Sequence, residues 1–128
     1  MVAGTFDIFH FGHEYFLKEA KNFGDELIVV IARDENVLKI KGKMPRNIED
    51  KRLKKVLESK LADKVILGNK ENIFNIIEEI KPNVICLGYD QPIDEIKLKQ
   101  EINKRKLIIE VVRLKSFKPE IYKSSLMN

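Results

Sequence analysis

Gly4-Thr5-Phe6-Asp7-Ile8-Phe9-His10-Phe11-Gly12-His13 follows the apolar pair Val2-Ala3 and runs into a segment with helical spacing at Tyr15, Phe16 and Ala20. It reads as the turn from a first strand into a first helix, Phe11 to about Lys21. Gly12 has no side chain, so a phosphate can approach the backbone there. The N–H groups at the start of a helix carry partial positive charge and suit an anion. His10 and His13 are three residues apart and share one face of a helix that begins near Phe11. Two imidazoles aimed at one spot can donate hydrogen bonds to phosphate oxygens, and Thr5 adds a hydroxyl at the strand end. A metal pair is the alternative use of two histidines, but no acidic or cysteine partner obviously completes such a site.

Working outward, apolar strand-like runs alternate with helix-like segments. Leu27 to Ala32 is a continuous β-branched run, as expected of a strand covered on both faces. Lys39 to Asn47 reads as a basic loop broken by Gly42 and Pro45, and Ile48 to Ser59 as an amphipathic helix with Leu53, Val56 and Leu57 on one stripe. Further strands are expected at Val65 to Leu67, Val84 to Leu87 and Ile108 to Leu114, with helices at Ile73 to Ile80 and from Asp94 to about Lys104. The order β-α-β-α-β-α-β-α-β calls for an α/β fold, a parallel sheet with right-handed crossovers and helices on both faces. In such sheets ligands sit beyond the carboxyl ends of the strands, near the point where strand order reverses.

The 128 residues suit one domain spanning 1–128, with no linker or internal repeat. No apolar run approaches a membrane span and no signal peptide precedes the first strand, so a cytoplasmic protein without a membrane partner is expected. The single cysteine, Cys86, lies in an apolar run and reads as a core residue. The net charge of +4 is small and the charges are interleaved, as in Glu49-Asp50-Lys51-Arg52, which reads as a solvated helix face rather than a nucleic-acid surface. The basic tail from Lys115 to Lys123 carries Phe117 and Tyr122, which could stack on bases, but no nucleic-acid partner is expected.

Gly4 to His13 resembles the signature of the cytidylyltransferase-like nucleotidyltransferases, whose hallmark is a His-x-Gly-His turn after the first strand. The resemblance covers essentially the whole chain and is closest to the archaeal FAD synthases, with glycerol-3-phosphate cytidylyltransferases more distant. It implies a Rossmann-like three-layer α/β/α fold with a five-stranded parallel sheet. It also implies a reaction in which a nucleoside monophosphate passes from an NTP to a phosphorylated acceptor and pyrophosphate is released. The leading pair is ATP and FMN, the runner-up CTP with glycerol 3-phosphate; a non-catalytic nucleotide-binding module is the alternative from another class.

By that resemblance His10, His13 and Lys41 are the catalytic residues. Gly4, Thr5, Phe6 and Lys39 would join them around the nucleotide, as would Gly88, Asp90 and Gln91 of the Gly-Tyr-Asp-Gln segment and Lys123, Ser124 and Ser125 near the end. Gln91 stands where cytidylyltransferases have an aromatic residue, and Lys60 where they have arginine; both lean toward the FAD synthases. Mg²⁺ or another divalent cation would arrive on the nucleotide, and a homodimer is expected because family members are commonly dimers.

Overall fold

The computed structural model describes residues 1–88, 91 and 93–115. Five parallel strands alternate with helices: β1 (Val2–Gly4), α1 (Phe11–Lys21), β2 (Ile28–Ile31), α2 (Asp34–Lys41), α3 (Glu49–Glu58), β3 (Lys64–Leu67), α4 (Asn75–Ile80), β4 (Val84–Leu87), α5 (Glu95–Lys104) and β5 (Glu110–Arg113). Strands run in the order β3-β2-β1, with Val2 opposite Val29 and Val30 opposite Ile66, and β4 pairs with β5, Ile85 opposite Val111.

The layering follows from the period-two alternation of strand side chains. Val29 and Ile31 of β2 and Cys86 of β4 point to one face, where Leu17 and Ala20 of α1 and Val56 of α3 cover them. Val30 of β2 with Ile85 and Leu87 of β4 point to the other, under Ile76 and Ile77 of α4 and Leu98 and Ile102 of α5. A fully buried aliphatic such as Leu17 contributes roughly 2 kcal/mol. Cys86 is a buried core residue whose thiol is pushed up by that burial. Among the described residues no helix is long and apolar enough to cross a membrane.

Three expectations are corrected. The five strands do not form one continuous sheet: they divide into a three-stranded and a two-stranded sheet. The two lie side by side, joined where the Met1 ammonium donates to the Val84 carbonyl (2.8 Å) and Cys86 N donates to the Met1 carbonyl (3.0 Å). β1 and β4 are therefore neighbours, and strand order reverses between them. Further along, a side chain takes the place of the backbone rung, as described below.

The basic loop begins later than expected, because Asp34–Lys41 is a helix that places Lys39 and Lys41 in its last turn before Gly42. Polar residues hid its short apolar stripe. α4 likewise begins at Asn75; Asn72 Oδ1 accepts the Phe74 N–H (2.9 Å) in the turn before it.

Candidate active site

The turn from β1 to α1 is shaped by its aromatic residues. Phe6 sits at φ +51°, a left-handed conformation that costs a bulky residue roughly 1–3 kcal/mol. The ring is only 4% exposed, and its burial, worth roughly 2–3 kcal/mol, offsets that strain. It folds back over Gly4, where a Cβ would lie 2.9 Å from Phe6 Cε2. The Phe6 ring meets His13 edge-on (centroids 5.1 Å apart), and Phe9 stacks on His13 at 5.6 Å. The Phe6 side chain thus forms the platform beneath His13.

The two histidines close the start of α1 as a reciprocal capping pair. His10, the N-cap, accepts the Gly12 N–H at Nδ1 (3.0 Å), and His13 Nδ1 accepts the His10 N–H (3.3 Å). The Ser/Thr-x-x-Glu box that usually caps a helix is here built from imidazoles. A nitrogen that accepts an N–H carries no proton, so each neutral ring has its proton, and its donor, at Nε2. The rings stack with centroids 4.0 Å apart and planes 24° off parallel. Gly12 permits this: a Cβ there would lie 2.8 Å from His10 Cε1.

A network that the sequence reading missed holds this turn. Arg52, expected on a solvated face, is 0% exposed. Its guanidinium donates to the carbonyls of Thr5 (2.9 Å) and Asn47 (2.9 Å) and to Asp34 Oδ1 (2.6 Å). Asp34 and Glu49, the first residues of α2 and α3, bond each other's backbone N–H reciprocally (3.0 and 3.3 Å). Arg33 ties Glu49 (2.7 Å) to the Gly68 carbonyl (2.8 Å) at the end of β3. Asp7 accepts the N–H groups of Arg46 (2.9 Å) and Asn47 (2.8 Å), fastening the segment before α3 to the histidine turn.

Burial alone would raise the Asp7 carboxyl, but those two N–H groups and the nearby Arg52 charge hold it below the usual carboxylate range. For Glu49 the Asp34 N–H is the largest influence and also lowers it, with burial opposing and Arg33 adding to the effect. The signal available in sequence was that Arg52 stands four residues before Val56, on the same helix face of α3; interleaved acidic and basic neighbours masked it.

At the ends of β4 and β5, Arg113 Nη1 donates to the carbonyls of Gly88 (2.6 Å) and Gln91 (2.9 Å), and its Nε donates to Glu95 (2.8 Å). The Gln91 amide is bonded on both sides: Oε1 accepts the Gly88 N–H (3.1 Å) and Nε2 donates to the Ala3 carbonyl (2.8 Å). The structure therefore brings Gly4, Thr5, Phe6, His10, His13, Gly88 and Gln91 to the carboxyl ends of β1 and β4, around the reversal of strand order. Lys39 and Lys41 are exposed at the end of α2. Lys39 lines an open cavity of about 350 Å³ with Asn36, Phe74 and Lys97, to which the histidine turn contributes no residue. Asp90, Lys123, Ser124 and Ser125 lie outside the described residues. Among the described residues no group of three or more His, Cys, Asp or Glu gathers to hold a metal ion.

Comparison with known proteins agrees with this geometry. The model of the cytidylyltransferase-like family matches residues 1–127. A protein of Archaeoglobus fulgidus named FAD synthase is 51% identical over 90% of this chain and 82% of its own length. One of the same name from Thermoplasma volcanium is 42% identical over 98% of this chain and 87% of its own length. A crystal structure from Thermoplasma volcanium, described as a lipopolysaccharide core biosynthesis protein, matches with a TM-score of 0.86 and 42% identity, covering 92% of this chain and 96% of that one. With a parallel sheet reversing its order beside a paired-histidine helix start, and a family match across nearly its whole length, this chain belongs to the cytidylyltransferase-like family.

Proposed function

We propose that this protein is a nucleotidyltransferase that joins the AMP moiety of ATP to FMN, forming FAD and pyrophosphate. The observation that carries the reading is the pair of stacked imidazoles, each with Nδ1 occupied by a backbone N–H and its donor at Nε2. The FAD synthase name of relatives at 40–51% identity supports the choice of substrates.

In the reaction a phosphate oxygen of FMN attacks the α-phosphorus of ATP in line. A new P–O bond forms there, the bond to the β-phosphate's bridging oxygen breaks, and the electron pair leaves with pyrophosphate. The nucleophile is already an anion, so no general base is needed. The residues position the partners and stabilise negative charge on the phosphoryl oxygens. His10 and His13 donate to those oxygens from Nε2, and the N–H groups at the start of α1 add their dipole. Arg52 and Asp7 hold the turn that carries both rings.

Lys39, Lys41 and Lys123 are assigned to the phosphates. A divalent cation, Mg²⁺ by its preference for phosphate oxygens and water, enters as part of the nucleotide substrate and so needs no protein cage. A cytoplasmic homodimer completes the proposal; sedimentation of the purified protein tests the dimer.

The decisive experiment offers ATP or CTP against FMN and glycerol 3-phosphate and measures pyrophosphate. ATP with FMN is the expected productive pair. Turnover only with CTP and glycerol 3-phosphate would replace this reading with the cytidylyl transfer that the family's description favours.

A further inference from the structure

In parallel strands alternate residues turn both N–H and C=O toward the same neighbour. Met1 does so toward β4: its ammonium reaches Val84 O at 2.8 Å and its carbonyl accepts Cys86 N–H at 3.0 Å. Two residues on, the next rung of that ladder would join Gly88 N–H to the Ala3 carbonyl. Instead the Gln91 carboxamide stands between those two groups, accepting from the first at 3.1 Å and donating to the second at 2.8 Å. A carboxamide has the same donor and acceptor as a peptide group, so it can replace a rung while keeping the strands apart.

We propose that Gln91 is a positioning residue, a wedge that spreads β1 and β4 at their carboxyl ends and thereby sets the width of the nucleotide cleft, rather than a residue that reads the base. The inference rests on the reading that this cleft holds the nucleotide. Two further observations support it. The backbone around the wedge is braced from behind, since Arg113 takes the carbonyls of both Gly88 and Gln91, and Gln91 N–H also bonds Gly88 O at 3.2 Å. The sheet also divides into its three-stranded and two-stranded parts at this boundary. A side chain that reads a base turns its amide donor and acceptor to the ligand, whereas one N–H and one oxygen lone pair of this amide are already taken by backbone on either side.

The test uses Gln91→Ala and Gln91→Glu in the full chain, with amide hydrogen exchange at Gly88 measured in the free protein and pyrophosphate release measured with ATP and FMN. Gln91→Ala is expected to speed Gly88 exchange by about tenfold and to raise the ATP KM by about tenfold, the scale of one or two hydrogen bonds, with kcat changing far less. Gln91→Glu keeps the volume and serves if the alanine variant fails to fold. Its ionised carboxylate sets an anionic oxygen against the Ala3 carbonyl, so the ATP KM rises at neutral pH. On acidification the carboxyl regains a proton to donate, and kcat/KM relative to wild type climbs back toward one.

Unchanged Gly88 exchange in Gln91→Ala would overturn the proposal. So would a switch in ATP-against-CTP preference with Gly88 protection intact, which would make Gln91 a base reader. Absence of turnover by the wild type with any substrate pair would count against the proposed reaction, while the exchange measurement would still decide whether the wedge exists.

Discussion

His10 uses its two nitrogens for different ends: Nδ1 takes the Gly12 N–H and caps α1, while Nε2 carries the donor assigned to the reaction. The two roles separate by substitution. His10→Asn keeps a side-chain acceptor of the kind preferred at N-caps, so its stability should stay close to wild type, whereas His10→Ala should lose about 1 kcal/mol. Both should lose about 100-fold or more in kcat, because neither has the imidazole donor. Thermal unfolding and pyrophosphate release measure the two effects, and near-normal turnover in His10→Asn would remove His10 from the chemistry. Gly12→Ala probes the same ring through space. The added Cβ would sit 2.8 Å from His10 Cε1, so the ring must shift; kcat should fall roughly 10- to 100-fold while circular dichroism keeps its helical signal.

At the scale of elements, the first residues of α2 and α3 hold each other through reciprocal carboxylate–N–H bonds, and one buried guanidinium ties α2 to the histidine turn. Arg52 joins the Thr5 carbonyl, the Asn47 carbonyl and Asp34, which belong to three different segments of the chain. Arg52→Met fills part of the volume but takes the guanidinium donor from the partly buried Asp34 carboxylate and from two carbonyls. The expected loss is about 3 kcal/mol, read as a lower urea midpoint at unchanged slope. A variant as stable as wild type would mean that the network is not what holds α3 against the turn. None of this was legible in Glu49-Asp50-Lys51-Arg52, where alternating charges look alike whether they face water or a cluster of carbonyls. α2 was missed for a related reason: only Asn36 and Val37 of its eight residues are buried, too few to mark a helical stripe.

For the molecule as a whole, Asp7 and Glu49 make stability depend on pH in a known direction. Both carboxyls are held below their ordinary values in the folded chain, so the unfolded chain binds their protons first as pH falls. Their stabilisation is complete above the ordinary carboxylate range, roughly pH 4, and is lost as pH drops through the lower folded values. Urea unfolding across that range should show the loss, and Asp7→Asn should flatten it while lowering stability at neutral pH; a pH profile identical to wild type would refute the assignment to Asp7. What the sequence by itself determined was the alternation of strands and helices and the placing of His10 and His13 at the first strand-to-helix turn. Both are local: the period of the apolar residues and the His-x-Gly-His spacing lie within a few residues of chain. Only the tertiary structure decided that Arg52 is interior, that the Phe6 ring lies beneath His13, and that the Gln91 amide stands between two strands whose residues Ala3 and Gly88 are far apart in sequence. The Arg52 and Gln91 outcomes depend on which backbone donors and acceptors the packed strands leave unpaired at their carboxyl ends, and the Phe6 outcome on how side chains pack around the turn; no local pattern of residues records either.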